Sequence, residues 1–344
     1  MPKPLRIAIV GSGYFSAFHM DAWKRIEEAQ IVAVAETDEA RRQAVASDHP
    51  DVDLYDDAEM MLDTVQPDIV DIITPPSSHV ALIELAARRG IDVMCQKPFC
   101  GDLVGAERAA ELGDRYGIKV TVHENFRFQP WYQVLKGELA QNGPSRLYRA
   151  TFHLRPGDGQ GAEAYLDRQP YFRAMPRFLV HETLVHLIDV ARFLFGEPST
   201  VMADIQKYNK AIAGEDSAII ILGYSDGMQV VIDGNRNADQ VADNPRRTMA
   251  NLLIEGAEGE LSMNGDGQIV RRKHGANTLQ PIDYDWRDHG FGGDCVFTTI
   301  RALVDHYVGG APRINSARDY LTNQKIEEAV YASARSGRRI DLDI

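Results

Sequence analysis

The feature that most constrains this 344-residue chain is a change of hydrophobic rhythm near residue 145. Before it, the apolar runs "LRIAIV", "QIVAVAE", "DIVDII", "IDVMC" and "IKVTV" are continuous rather than alternating, the pattern of strands buried on both faces. Amphipathic stretches separate them, among them "DEARRQAVASD", "HVALIELAARRG" and "AERAAELGDRYG". The last two close on a glycine where a helix C-cap belongs. Strand and helix in alternation predict an α/β domain on a doubly wound parallel sheet. After residue 145, "RLYRATFHL", "SAIIILGYSDGMQVVIDG" and "TMANLLIEGAEGELSMNG" read as strands joined by glycine-rich turns, the mark of antiparallel hairpins. A strong helix over about 180–195 interrupts them, and more helices are predicted near 294–309 and 317–335. There is no internal repeat and no low-complexity linker. The expected division is an α/β domain over 1–123 and an α+β domain over 124–344.

Charge and composition exclude several function classes. The formal net charge is -13, with no basic run, which argues against nucleic acid as a partner. The opening "MPKPLRIAIVGSG" has too short an apolar stretch for a secretory signal. The longest dense apolar runs, such as "AIIIL" at 218–222, are strand-sized, so no membrane span is expected. Cys95, Cys100 and Cys295 are too few and too oddly spaced for a disulfide framework or a zinc site, and no metal is expected. A reduced, cytoplasmic protein fits these facts.

The first chemical motif is "GSGYFS" at 11–16, directly after the strand "RIAIV". Gly11 permits a tight turn, and Gly13 lets backbone N–H groups approach a pyrophosphate. Ser16 stands where a third glycine is usual and is small enough for close helix–strand packing; Tyr14 and Phe15 complete the candidate cofactor turn. Glu36 ends the next strand and can accept hydrogen bonds from the ribose hydroxyls, which favours NAD over NADP. Asp38 beside it reads as a helix N-cap. "TPPSSHV" at 74–80 and "QKPF" at 96–99 follow central strands, at the carboxyl ends where such sheets bind ligands. Thr74, Pro75, His79, Gln96 and Lys97 are therefore candidate cofactor contacts. His79 reads equally as a structural histidine satisfying backbone groups. Lys97 is held by the following proline, and a lysine beside a cationic nicotinamide has its charged form disfavoured.

The second motif is "RFLVHETLVHLIDVARFLFG" at 177–196. On an α-helix Glu182, His186 and Asp189 share one face, while His181 and His186 diverge by roughly 140°. That divergence excludes the two-histidine zinc face of a metalloprotease. A buried hydrogen-bonded histidine and an acid/base group remain equal readings of this segment alone.

In this order and spacing, "GSGYFS", "TPPSSH", "QKPF", "ENFRFQPWY" and "ETLVHLID" resemble the Gfo/Idh/MocA oxidoreductases, over nearly the whole chain. The resemblance implies a Rossmann domain, a second domain with a large, mainly antiparallel open-faced sheet, and NAD(P) as cofactor. It implies Lys97 and His186 as a catalytic pair, with Glu182 where an aspartate is usual and Gln96 where a glutamate is usual. Losing a carboxylate at 96 removes a charge that could keep Lys97 protonated. His186 is then the expected base, Glu182 orients it or binds a substrate hydroxyl, and Lys97 stabilises the reacting oxygen. Arg127, Arg155, Arg173 and Arg177 lie in segments expected to line the substrate pocket, although structural ion pairs would explain most of them. "GYFSAFH…AW", "RQPYFRAMPRFLVHET" and "FGGDC" are similar to D-apiose dehydrogenases within that family. The implied partner is a sugar or polyol, inositols and other aldoses included, and the expected assembly is a homodimer or homotetramer. A silent NAD- and sugar-binding regulator is the alternative.

Overall fold

In the computed structural model, which describes residues 3–344, six strands form a parallel sheet. They are β1 (Leu5–Val10), β2 (Ala29–Ala35), β3 (Asp53–Tyr55), β4 (Ile69–Ile72), β5 (Asp92–Gln96) and β6 (Val120–His123). Their order β3-β2-β1-β4-β5-β6 reverses direction between β1 and β4, which makes the carboxyl ends of those strands the expected ligand crevice. The crossover helices are α1 (Ser16–Lys24), α2 (Glu39–Asp48), α3 (Ala58–Val65), α4 (His79–Ala87) and α5 (Leu103–Tyr116). Asp38 caps α2 through the Arg41 N–H, and Gly117 ends α5 in the left-handed region. The central strands are buried on both faces; Ile7, Ile9, Ile72 and Met94 are inaccessible to water. β3 and α3 lie outside the pattern read from the sequence; a three-residue strand among acidic residues carries no hydrophobic period, whereas α3 is capped by Asp57 and buries Met61, Leu62 and Val65.

The second unit opens with α6 (Pro130–Asn142) and β7 (Leu147–Leu154). A π-helical turn, Leu179–Leu184, runs directly into α7 (Val185–Phe195). Then follow β8 (Thr200–Gln206), β9 (Ser217–Gly223), β10 (Gln229–Asn235), β11 (Ala250–Gly256), β12 (Gly259–Met263), β13 (Ile269–Lys273) and β14 (Gln280–Ile282). The chain ends with α8 (Cys295–Gly309), α9 (Ala317–Ser336) and β15 (Ile340–Asp341). The nine strands pair in the order β14-β13-β12-β11-β7-β10-β9-β8-β15. Only β7 and β10 run parallel, so the sheet is mainly antiparallel. Alternate residues of β9 and β10, such as Ile220, Leu222, Val230 and Ile232, join Leu184, Leu187 and Ile188 in one core. The opposite face leaves Met202 and Ile219 about half exposed.

The division differs from the expected one in one respect. One unit holds the chain up to Asn125 together with Val296–Gln324, and the other holds Phe126–Cys295 with Lys325–Ile344. Thus α8 and the start of α9 belong with the parallel sheet; Arg301 pairs there with Glu28, and the Tyr307 hydroxyl donates to Asp92. Among the described residues no helix is long and apolar enough to cross a membrane.

The π turn has a definite cause at its start. The sequence offers no Ser, Thr, Asp or Asn just before Leu179, so a remote carboxylate caps it. Glu215 Oε1 accepts the N–H groups of Phe178 and Val180 and the Tyr331 hydroxyl, and its main-chain carbonyl accepts Leu179 N–H. At Gly234 of β10, any Cβ would lie 2.8 Å from Leu184 Cδ2, so glycine lets the turn settle close to the sheet. Replacing Glu215 by alanine strands these buried donors. It should cost about 2–4 kcal/mol in urea unfolding of the full chain, whereas a change under about 0.5 kcal/mol would remove Glu215 from this role.

Candidate functional site

In the first unit the site grows from the turn between β1 and α1. Gly11 has φ +96°, and a Cβ there would meet Ile73 O at 2.8 Å, so the turn hugs the end of β4. Nothing lies within 4 Å of where a Gly13 Cβ would be, which leaves that stretch of backbone open to a ligand. Ser16 is buried and its hydroxyl donates to Gly13 O at 2.6 Å, fixing the start of α1. Phe15 packs on Phe18, while Tyr14 is half exposed. A cavity of about 460 Å³ adjoins the turn, with Ser12, Gly13, Tyr14 and Arg41 in its lining.

Glu36 follows β2, and its carboxylate is already oriented. Oε2 accepts Ser12 N–H and the Ser12 hydroxyl, both at 2.8 Å, and Oε1 accepts Asp38 N–H at 2.9 Å. Burial opposes its ionisation, but these donors outweigh it and hold its pKa below the ordinary carboxylate value. Arg41 stands 4.0 Å away, and Arg42 donates to the Glu36 carbonyl. A cradle that a Cβ would fill, open backbone above it and a charged carboxylate one strand away together fit an NAD dinucleotide.

The loops after β4 and β5 are joined through His79. This residue is wholly buried, with Nε2 2.8 Å from Thr74 O and Nδ1 2.9 Å from Phe99 O. Burial holds its pKa down against those carbonyls. Both ring nitrogens face main chain, so His79 braces the loops and has no nitrogen left for a ligand. The Thr74 hydroxyl bonds to that of Ser78, and Pro75 is exposed beside it. Lys97 follows β5, joined to Pro98 by a cis peptide bond. The Gln96 side chain is buried and accepts Lys97 N–H at 2.6 Å. It faces inward, away from the role of a surface cofactor contact.

In the second unit Glu182 and His186 lie where the π turn passes into α7. The 140° divergence of His181 from His186 presumed 3.6 residues per turn; the wider turn brings residues five apart nearer one line. The two rings nevertheless have different partners. His181 Nδ1 lies 2.7 Å from Glu327, and the His186 ring stacks on Phe126 at 3.9 Å and 3°. Glu182 accepts the Thr183 hydroxyl and lies 3.5 Å from Arg236. Arg236 is 2% exposed, clamps Asp158 with two nitrogens, donates to Thr183, and sits over the rings of Tyr165, Phe172 and Phe178.

The arginines divide. Arg127 grips Asp189, the third residue of the polar face, through two nitrogens. Arg155 pairs with Asp233, on the sheet face opposite α7, and so does not join Glu182 and His186. Arg173 donates to Ala211 O, and Arg177 pairs with Glu328. Residues that local motifs do not reveal include His19, Asp71, His123, Asp158, Glu215 and Arg236. Two had a signal: Asp71 is an acid inside the apolar run "DIVDII", and His19 and Trp23 sit four apart on α1, both able to donate to it.

Comparison with known proteins gives a consistent result. Residues 5–124 match the family model for the Gfo/Idh/MocA "Oxidoreductase family, NAD-binding Rossmann fold", and residues 141–262 match its "C-terminal domain". A D-apiose dehydrogenase of Paraburkholderia graminis is 33% identical over 99% of this chain and 90% of its own length. An inositol 2-dehydrogenase of Rhizobium meliloti is 29% identical over 98% and 99%. Among solved structures, an oxidoreductase from Agrobacterium radiobacter in complex with NAD+, L-tartaric acid and magnesium superposes with a TM-score of 0.88. It is 28% identical and covers 98% of both chains.

The buried pair His181–Glu327 predicts a pH signature. Burial disfavours the charged imidazole, but the charge and hydrogen bond of Glu327 prevail and raise the His181 pKa above its ordinary 6.5. A raised folded pKa means that the stabilisation is complete below about pH 6.5 and is lost as pH climbs through the folded value. Urea unfolding should therefore show Glu327→Gln trailing the wild type most at acid pH, with the gap closing on the alkaline side. A gap that widens with pH would contradict the pairing.

Proposed function

The chain belongs to the Gfo/Idh/MocA family of NAD-binding oxidoreductases, and within it we propose that this protein oxidises a sugar hydroxyl, D-apiose to its lactone first among candidates. The observation that carries this reading is end-to-end similarity to D-apiose dehydrogenases from two organisms, at 33% and 28% identity. The second of these is from Rhizobium rhizogenes and matches over 98% of this chain. Inositols and other aldoses form the next tier of candidates, by similarity to inositol 2-dehydrogenases.

NAD+, when bound, supplies a hydride acceptor at its nicotinamide ring. The residues of this chain do the rest. Gly11, Gly13 and the start of α1 hold the pyrophosphate, and Glu36 faces the ribose. His186 takes the hydroxyl proton as the anomeric carbon gives up its hydride, so one proton and one hydride leave and a carbonyl forms. Stacking on Phe126 supports this role, because it fixes the plane of the imidazole. Lys97, at the carboxyl end of β5, stabilises negative charge developing on the same oxygen. Glu182, kept in place by Thr183 and Arg236, accepts a second substrate hydroxyl.

The test is NADH formation from NAD+ against a panel of D-apiose, other aldoses and inositols. Turnover should be fastest with D-apiose, and Lys97→Ala and His186→Ala should each lower kcat by about 10²- to 10⁴-fold while NAD+ binding persists. Near-wild-type turnover in either variant would remove that residue from catalysis. NAD+ and sugar binding with no turnover on any member of the panel would instead make the chain a regulator.

A further inference from the structure

Beneath the crevice, Asp71 lies in β4 with no exposure to water. Its Oδ2 is 2.8 Å from His19 Nδ1 and 2.8 Å from Trp23 Nε1, both on α1. From β5, Gln96 reaches the same pocket. Its Oε1 is 2.6 Å from Lys97 N, and its Nε2 is 3.0 Å from His19 Nε2 and 3.5 Å from His123 Nδ1.

Chemistry fixes every proton in this chain. A main-chain N–H can only donate, so the Gln96 oxygen must face Lys97 and its NH2 must face the imidazoles. His19 Nε2 must then accept. Its single proton therefore sits on Nδ1, where the Asp71 carboxylate receives it. Donation runs one way: Lys97 N–H to Gln96, Gln96 NH2 to His19, His19 Nδ1–H to Asp71. The groups facing His19 are Asp71 from β4, Gln96 from β5, His123 from β6 at 4.1 Å between rings, and Phe15 just before α1.

We propose that Asp71, His19 and Gln96 form a buried positioning relay that sets the main chain, and with it the side-chain exit, of Lys97. The amide at position 96 locks His19 as its neutral Nδ1–H tautomer. A glutamate of the same shape would point a lone pair at the lone pair of His19 Nε2 and would need one additional proton to relieve that contact. Gln96 is thus matched to His19. The catalytic consequence rests on Lys97 acting in the reaction; the relay itself does not.

The test uses the full chain labelled with 15N-histidine, with His19 assigned by its loss in His19→Gln, alongside kinetics with NAD+ and D-apiose. In the wild type at neutral pH, His19 should show a protonated Nδ1 and an unprotonated Nε2. Gln96→Met should raise amide hydrogen exchange at Lys97 by about tenfold or more and lower kcat by a similar factor, with KM and NAD+ affinity within about threefold. Gln96→Glu should add a new ionisation to the kcat profile, with activity kept on the acid side and falling as pH rises. A protonated Nε2 in the wild type, or unchanged Lys97 exchange in Gln96→Met, overturns the relay. If Lys97→Ala abolishes turnover and Gln96→Met leaves it intact, the relay has no catalytic consequence and the inference falls alone. If Lys97→Ala keeps turnover, the catalytic reading of Lys97 falls, and the exchange and nitrogen spectra still decide the relay. If Gln96→Met does not fold, the wild-type spectrum and the Gln96→Glu profile decide it.

Discussion

A carboxylate inside a parallel sheet is the constraint on which the first unit depends. Asp71 would be costly to bury alone, and two donors from α1, His19 and Trp23, offset that cost. The same bonds tie α1 to β4, so the helix that opens at the glycine turn cannot shift without breaking them. Gln96 extends the tie to β5 and to the main chain of Lys97. One network therefore fixes both the glycine turn between β1 and α1 and the strand end that carries Lys97. His79 is buried as completely, between the loops after β4 and β5, with its two ring nitrogens within hydrogen-bond distance of Phe99 O and Thr74 O.

The second unit uses the same device with the charges reversed. Arg236 is the buried charge, met by Asp158 and Thr183, with Glu182 close by and three aromatic rings around it. The Thr183 hydroxyl stands between Arg236 and Glu182, accepting from one and donating to the other. Glu215 caps the π turn on which Glu182 and His181 stand. In both units the polar groups near the candidate chemistry are held by partners distant in sequence, which is how a site is kept rigid without rigid local backbone.

Those distant partners mark the limit of what the sequence discloses. Runs such as "LRIAIV" and "DIVDII" fix β1 and β4 because their periodicity is local, and "GSGYFS" and Glu36 are legible because strand, turn and helix follow one another. The strand Asp53–Tyr55 is too short for any period, and the start of the π turn is capped by the distant Glu215 rather than by a neighbouring side chain. The fork of Arg127 is a motif residue on paper, but only tertiary structure shows it closed on Asp189. Gln96 is the sharpest case. Its place in the sequence puts it beside Lys97, while its meaning depends on His19, 77 positions earlier.

The central claim is that this NAD-binding oxidoreductase takes hydride directly from a sugar carbon. It is tested most directly by following deuterium from D-apiose labelled at its anomeric carbon. The account predicts that the label appears in the nicotinamide ring of the NADH formed and that the labelled sugar reacts more slowly than the unlabelled one. Deuterium released to water, or retained in sugar that the protein binds together with NAD+ and leaves unchanged, would contradict it.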